Sequence, residues 1–207
     1  DFFYPSQPAK GLVVFVHGGY WLRFDKSFWS HLAAGPLSQG WAVAMPSYAL
    51  CPDVSITEIG LQIAEAIAFA AARVDGPIRL VGHSAGGHLV TRVMALPDAI
   101  GWQKRVQKIV AISPVADLVP LMKTAMNSDL RLTQTEALRE SPVRQPAPDV
   151  PVTVWVGADE RPVFIAQAHG LAQAWDCKIV VENNRHHFDV IEGMADQGSD
   201  LLSEIML

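Results

Sequence analysis

Cysteine is scarce in this sequence, which has only Cys51 and Cys177 among 207 residues. The two lie far apart and outside any C-x-x-C or His-rich stretch, which argues against a disulfide framework and against a zinc site. We therefore expect both to be small, buried apolar residues. The absence of a basic and apolar leader segment favours a cytoplasmic protein.

Long apolar runs and excess positive charge are also missing. The longest runs, such as Leu12–Val16, fall far short of the ~20 residues of a membrane-spanning helix, so we expect no membrane segment. The formal net charge is −5, and the 16 Lys and Arg residues are scattered, which argues against a nucleic acid partner. The sequence has no Walker loop, dinucleotide fingerprint or metal-ligand spacing, so we expect no cofactor and no metal.

Apolar residues are abundant. Half of the residues are hydrophobic and 18% are charged, a balance typical of a packed globular chain, and the length favours one domain. Runs of strand length, rich in Val, Ile and Leu, alternate with segments of helical period, which is the pattern of a parallel sheet covered by helices. The predicted strands are Leu12–His17, Trp41–Pro46, Ile78–Gly82, Lys108–Ser113, Val152–Gly157 and Lys178–Glu182.

Three amphipathic helices are predicted in addition. The first follows Ser55, which has capping-box spacing with Glu58; the second starts near Pro162; the third runs from about Phe188. The stretch around 117–149, polar and rich in proline from Pro120 to Asp149, interrupts the alternation, and we expect a small cap-like insertion there. The residues expected to face inward are Ile56, Ile59, Ile63, Ile67, Ala70 and Val74 in the first helix, Phe164, Ala168, Leu171 and Trp175 in the second, and Ile191, Ala195, Leu202 and Ile205 in the third.

A G-x-S-x-G string follows the third predicted strand. Gly82-His83-Ser84-Ala85-Gly86 comes directly after that strand, and the residues beyond it have helix-compatible spacing. This is the setting of a nucleophile elbow, in which a strained turn holds a serine hydroxyl clear of the sheet and glycines avoid collisions with neighbouring backbone. The pattern predicts Ser84 as a nucleophile. The alternative is an ordinary glycine-rich turn between a strand and a helix.

A serine hydroxyl is a weak nucleophile at neutral pH, so it needs a base, and the base needs an acid to hold it. The expected chain order is Ser, then Asp or Glu, then His, each at the carboxyl end of a strand. Asp159 and Glu160 follow the fifth predicted strand, and His186 and His187 follow the sixth. Neighbouring side chains on an extended loop point in different directions, so only one of each pair can serve. The residues alone leave both choices open.

The first predicted strand ends in His17-Gly18-Gly19-Tyr20-Trp21, which is similar to the H-G-G-G loop of lipases and esterases. Glycines allow backbone N–H groups to approach a developing oxyanion. We predict an oxyanion hole formed by the N–H groups of Gly18, Gly19 and Ala85, with Tyr20 as an alternative to Gly18. His17 is expected to hold the loop. The alternative is a plain turn at the end of a strand.

These parts together indicate the α/β-hydrolase fold, with a mostly parallel, doubly wound sheet flanked by helices. The motifs at 17–21 and 82–89 and the segment at 187–192 resemble kynurenine formamidases (arylformamidases) and bacterial esterase and lipase relatives, over nearly the whole chain. In that family a Phe follows the catalytic histidine, and the acid stands immediately before a residue–Pro pair. The resemblance therefore implies His187 as the base and Glu160, which precedes Arg161-Pro162, as the acid. Asp159 stays open, because the best-known members have Asp at this place.

The resemblance also implies a substrate. It implies hydrolysis of N-formyl-L-kynurenine to formate and kynurenine through a formyl-enzyme on Ser84, with Tyr20, Trp21 and His83 lining the substrate pocket. It implies strands ahead of Leu12 as well, for which residues 1–10 leave little room, and the chain opens at Asp1. We therefore expect the N-terminal strands to be truncated.

Three functions are compatible with these residues. The first is an arylformamidase-like amidase, the second a short-chain carboxylesterase with the same machinery, and the third a non-catalytic ligand-binding protein that retains the fold. The third requires a missing catalytic part, whereas candidates for nucleophile, base, acid and oxyanion loop are all present, which favours an enzyme. The expected partner is a small-molecule substrate, and a homodimer is compatible with the sequence.

Overall fold

The computed structural model describes residues 1–96 and 101–207, and a seven-stranded sheet lies at its centre, in the order β1-β3-β2-β4-β5-β6-β7. In this part of the chain β1 runs antiparallel to β3, and the other neighbouring pairs are parallel. The fold is therefore the predicted α/β-hydrolase fold. The strands are β1 (Phe2–Phe3), β2 (Leu12–Val16), β3 (Ala42–Ala44), β4 (Ile78–His83), β5 (Val106–Ile112), β6 (Val152–Gly157) and β7 (Lys178–Glu182).

The six strands predicted from apolar runs all form, with small differences at their ends. The second predicted strand is shortened to Ala42–Ala44, and the fourth begins two residues early, at Val106. The sheet also contains β1, which was not predicted because two residues are too few to show alternation. Phe2 pairs with Ala44, so β1 lies at the edge of the sheet, beside β3.

Helices cover both faces of the sheet. The α-helices are α1 (Ala34–Ser38), α2 (Ile56–Ala71), α3 (Ala85–Arg92), α4 (Asn127–Leu130), α5 (Gln134–Arg139), α6 (Pro162–Trp175) and α7 (Asp200–Met206). Short 3₁₀ helices occupy Lys26–Ala33, Val93–Ala95, Trp102–Arg105, Val119–Lys123, Pro142–Arg144 and Glu192–Met194. The predicted capping box of α2 is present, with the Ser55 and Glu58 side chains each accepting a hydrogen bond from the other residue's backbone N–H.

The third predicted helix is wrong in its extent. Residues 188–199 form turns and a short 3₁₀ helix, and α7 begins only at Asp200. Gly193 and Gly198 interrupt the helical pattern, and Ser199 caps α7. The inward apolar positions were still predicted well: Ile191, Leu202 and Ile205 are buried and Ala195 is half-buried.

The core has two layers because successive residues of each strand point to opposite faces. Leu12, Val14 and Val16 of β2 face α2, α3 and α6, whereas Val13 and Phe15 face the side covered by α1 and α7. This double burial explains why the strands read as continuous apolar runs. Because helices cover both faces, only the two edges of the sheet and the loops at the strand ends are exposed.

The segment at 117–149 is held to the helices on the first of these faces. The Glu140 side chain is buried and lies 2.9 Å from Arg92 Nε of α3, and its Oε1 accepts a hydrogen bond of 3.0 Å from Thr57 of α2. The imidazole Nε2 of His88 donates to the Glu140 carbonyl oxygen at 2.7 Å. A buried carboxylate that is paired and hydrogen-bonded in this way fixes the segment against the sheet domain.

Within residues 1–96 and 101–207, no helix is long and apolar enough to cross a membrane. The same residues contain no group of three or more His, Cys, Asp or Glu placed to hold a metal ion. Cys51 and Cys177 are both free; Cys51 is buried as expected, whereas Cys177 is only half-buried, because it stands just before the edge strand β7.

Candidate active site

Ser84 lies at the sharp turn between β4 and α3. Its backbone has φ 56° and ψ −115°, outside the regions that non-glycine residues ordinarily occupy, and its N–H donates to the Ile112 carbonyl at 2.8 Å. A Cβ on Gly82 would collide with the Gly86 carbonyl oxygen, and a Cβ on Gly86 would collide with that of Val16. Both glycines of the motif are therefore required by contact with backbone, as a nucleophile elbow demands.

His187 and Glu160 form a hydrogen-bonded pair at the carboxyl ends of β7 and β6. His187 Nδ1 lies 2.6 Å from Glu160 Oε2, and the Glu160 side chain is fully buried. Its other oxygen, Oε1, accepts hydrogen bonds from the Gly157 N–H at 2.9 Å and from the Ser113 hydroxyl. Burial alone would raise the pKa of Glu160, but the hydrogen bonds from His187, Ser113 and the Gly157 N–H outweigh it, and the pKa is lowered.

The neighbouring candidates point elsewhere. Asp159 is exposed, and its backbone N–H donates to the Arg185 carbonyl at 2.9 Å. His186 is exposed too, and its ring Nδ1 lies 3.3 Å from Asp189 Oδ1. Only Glu160 and His187 are thus brought together, and the carboxylate and imidazole have the arrangement of acid and base in a serine hydrolase triad.

The elbow and the His187–Glu160 pair are connected through His83. His83 precedes Ser84, and its imidazole Nε2 donates to the His187 carbonyl oxygen at 2.8 Å. The ring centroids of His83 and His187 are 4.7 Å apart. The His187 ring also stacks on Phe164 of α6, with centroids 3.9 Å apart. Nδ1 is engaged by Glu160, so Nε2 is the ring nitrogen of His187 that does not contact the carboxylate.

The loop after β2 packs directly against the elbow. A Cβ on Gly18 would lie 2.9 Å from the Ser84 Cβ, and Gly19 has φ +113°, a conformation that favours glycine. Across the described ranges, no hydrogen bond takes up the backbone N–H of Gly18, Gly19 or Ala85. These three predicted donors are therefore unpaired within the described residues, as an oxyanion hole would require.

His17 is arranged to hold this loop. Its Nδ1 lies 2.8 Å from the Gly18 carbonyl oxygen, and its ring stacks on Tyr48 with centroids 4.4 Å apart. The Tyr48 hydroxyl donates to the His17 carbonyl oxygen at 3.0 Å. Burial lowers the pKa of His17, which keeps the ring neutral.

The predicted pocket residues are not all placed as expected. Tyr20 is half-buried, and its ring lies 6.3 Å from that of Phe164, which stacks on His187. Trp21, in contrast, has 0% exposure and packs edge-on against His88, so it belongs to the core and cannot line an open pocket. His83 is also buried, under the His187 loop. A local motif does not reveal this, because burial depends on which elements pack above it.

Two residues at the site were missed by sequence reasoning. Ser113, at the end of β5, donates to Glu160, and Phe164, expected only as core, stacks on His187. Ser113 carried one signal, since it stands at the carboxyl end of a predicted strand, where functional residues of parallel sheets gather. Phe164 carried none beyond its place on the inward stripe of α6.

The sheet is mostly parallel, and a strained elbow serine, a histidine–carboxylate pair and a glycine loop lie at strand ends. These features place the protein in the class of α/β-hydrolases. The chain matches the BD-FAE family over residues 1–196 and belongs to it.

Several known proteins similar to this chain have names that describe hydrolases. Kynurenine formamidase of Danio rerio is 27% identical over an alignment 218 positions long, which covers 98% of this chain and 73% of the relative. A crystal structure of a Silicibacter sp. TM1040 protein with a thioesterase assignment is 53% identical, with a TM-score of 0.96, and the match covers 100% of this chain and 79% of that one. An esterase of Pyrobaculum calidifontis, 21% identical with a TM-score of 0.78, covers 99% of this chain and 79% of its own length and shows the shared fold.

Proposed function

We propose that this protein is a serine hydrolase that forms an acyl-enzyme on Ser84, with His187 as the base and Glu160 as the acid. The observation that supports the proposal most is the 2.6 Å contact between His187 Nδ1 and a fully buried Glu160 carboxylate, next to an elbow serine with φ 56°. A neutral His187 that donates from Nδ1 to Glu160 has an unprotonated Nε2, and only that tautomer can accept the serine proton.

The reaction follows from this arrangement. The Ser84 oxygen attacks the carbonyl carbon of the substrate while its proton passes to His187 Nε2, and the N–H groups of Gly19 and Ala85 stabilise the oxyanion. His187 then gives the proton to the leaving nitrogen or oxygen as that bond breaks, which leaves the acyl group on Ser84. A water molecule, deprotonated by His187, then attacks the acyl carbon. The bond to the Ser84 oxygen breaks, His187 returns the proton to that oxygen, and the acid is released. Each oxyanion-hole donor contributes about 3–4 kcal/mol to such steps in other hydrolases.

The first candidate reaction is that of an arylformamidase, the hydrolysis of N-formyl-L-kynurenine to formate and kynurenine. Kynurenine formamidases of Danio rerio and Drosophila melanogaster are 27% and 28% identical to this chain, and each match covers more than two thirds of the relative. Tyr20 is half-buried, with its ring 6.3 Å from the buried Phe164 that stacks on His187, and it provides apolar surface for an aromatic leaving group.

The second candidate is a short-chain carboxylesterase. The 53% identical structure with a thioesterase assignment favours it, because esters and thioesters pass through the same acyl-enzyme on the same machinery. An amide differs chiefly in its leaving nitrogen, which must be protonated by His187 before the bond breaks.

Side-by-side kinetics separate the candidates. The purified protein is assayed on N-formyl-L-kynurenine, p-nitrophenyl acetate and a short-chain acyl thioester, with Ser84→Ala as control. If kcat/KM for the ester or the thioester exceeds that for the formamide by orders of magnitude, the formamidase assignment is wrong and the esterase assignment stands. Loss of every activity in Ser84→Ala excludes a contaminating hydrolase, and absence of any activity in the wild type favours a ligand-binding protein.

A further inference from the structure

His83 occupies an unusual position between the nucleophile and the base. It is the last residue of β4 and stands directly before Ser84, yet its side chain reaches the loop after β7, 104 positions further along the chain. Its imidazole Nε2 lies 2.8 Å from the backbone carbonyl oxygen of His187, and the two rings are 4.7 Å apart. One strand end therefore supplies both the nucleophile and a contact to the base.

The partner of this hydrogen bond fixes the tautomer of His83. A carbonyl oxygen can only accept, so Nε2 of His83 must carry the proton. Burial, and secondly the charge of His187, lower the pKa of His83 to about 3, so the ring stays neutral when the neighbouring imidazole becomes charged during the reaction.

The second ring nitrogen, Nδ1, makes a histidine energetically unfavourable at this buried position. Nδ1 is buried and has no hydrogen-bond partner, and a Cβ on Gly18 would lie 3.3 Å from it. An unsatisfied buried acceptor is unfavourable, so an apolar residue would pack there at less expense. Within the described residues, this hydrogen bond is the only one from a side chain of β4 to the backbone of His187.

We propose that His83 is a positioning residue, which anchors the backbone of His187 and so holds the base over the nucleophile. The inference rests on the proposed function, because it assumes that His187 is the base. Glu160 orients the imidazole ring from one side, and His83 fixes the loop that carries it from the other. The role is one of placement: His83 lies under the loop and contacts neither substrate nor the reacting atoms.

The test compares His83→Gln with His83→Met. A glutamine side chain can put an amide N–H close to the position of Nε2, whereas methionine has similar length, fills the apolar space and donates nothing. We expect His83→Met to lower kcat by about 10–100-fold with KM within about threefold, because a displaced base slows the chemistry and leaves substrate contacts in place. His83→Gln should recover most of that loss.

Two outcomes overturn the proposal. Equal kcat losses in the two variants mean that the ring packs and does not anchor, and a change in KM alone means that His83 contacts substrate. Thermal unfolding of both variants shows whether either has lost the fold. Ser84→Ala, measured in parallel, distinguishes the two hypotheses. If Ser84→Ala retains activity, the proposed function is wrong. If Ser84→Ala is inactive and His83→Met has the wild-type kcat, only the positioning role is rejected.

A measurement on the wild type avoids substitution altogether. In protein labelled with ¹⁵N-histidine, the His83 ring at pH 7 should show the neutral Nε2–H tautomer with a slowly exchanging proton, and the signal is assigned by its loss in His83→Gln. A protonated ring, the Nδ1–H tautomer or rapid exchange of the Nε2 proton would contradict the hydrogen bond to the His187 carbonyl.

Discussion

Replacing Glu160 with glutamine tests how the site holds its base. The two carboxylate oxygens of Glu160 have different partners: Oε2 faces His187 Nδ1 at 2.6 Å, and Oε1 accepts the Gly157 N–H at 2.9 Å. A backbone N–H can only donate, so in Glu160→Gln it selects the amide oxygen at the Oε1 position. The amide NH₂ is then left facing Nδ1 of His187.

That orientation forces the wrong tautomer. An NH₂ group that donates to Nδ1 requires the proton on Nε2, and a protonated Nε2 cannot accept the Ser84 proton. The corresponding Asp-to-Asn change in a well-characterised serine protease lowers kcat about 10⁴-fold. We expect a loss of about 10³–10⁴-fold in kcat for Glu160→Gln, equivalent to about 4–5.5 kcal/mol of transition-state stabilisation.

The matched control is Asp159→Asn, one residue away on the same loop and exposed. The kcat values of Glu160→Gln and Asp159→Asn are compared by steady-state kinetics on the best substrate, and thermal unfolding shows whether both variants are folded. We expect Asp159→Asn to stay within about threefold of wild type, because surface changes of this kind have small effects. If Glu160→Gln keeps more than about a tenth of the activity while Asp159→Asn loses it, the assignment of the acid is wrong.

Three further changes probe other parts of the structure. Gly18→Ala puts a methyl group 2.9 Å from the Ser84 Cβ, so kcat/KM should fall at least about 100-fold, and near-normal kinetics would refute the packing of the glycine loop on the elbow. Ser113→Ala and Ser113→Gly both remove the hydroxyl donor to Glu160, and glycine also relieves the strain of the positive φ of 47°. We expect kcat to fall about 10-fold in both variants. A fall in only one of them would show that the effect comes from the backbone. Glu204→Gln should lower the free energy of unfolding at pH 7 by about 1–3 kcal/mol in urea titrations. Burial would raise the pKa of Glu204, but hydrogen bonds from two lysines and a threonine lower it from 4.5 to about 2. The contribution of Glu204 to stability is therefore full above pH 4.5 and is lost as the pH falls towards 2. An equal loss of unfolding free energy in the variant at pH 7 and at a pH near 2 would contradict this.

The sheet was predictable from the sequence because strands buried on both faces read as apolar runs. The apolar periodicity and capping box of α2 likewise determine that helix locally, through Ser55 and Glu58. The helix predicted from Phe188 failed for the opposite reason. The chain turns directly after His187, and the hydrogen bond from the His186 N–H to Asp189 Oδ1, 2.7 Å long, stabilises this turn in place of a helix.

The site could be predicted only as far as its motifs are local. The elbow at Ser84 was predictable because its strand, turn and helix are contiguous in sequence. The choice between Asp159 and Glu160 depends on tertiary contacts, since the Asp159 N–H binds the Arg185 carbonyl of a different loop and thereby directs Glu160 inward. The contribution of Ser113 to the acid depends on the pairing of β5 with β6, which no local pattern states.

Trapping the acyl-enzyme tests the nucleophile and the base together. The protein is mixed with p-nitrophenyl acetate, quenched within milliseconds and digested, and the acetylated peptide is identified by mass spectrometry; a fluorophosphonate serves as an irreversible counterpart. We expect one adduct per chain, on Ser84, absent in Ser84→Ala and formed at least about 100-fold more slowly in His187→Ala. An adduct on another residue, or unchanged labelling when His187 is replaced, would contradict the proposed relay from Ser84 to His187.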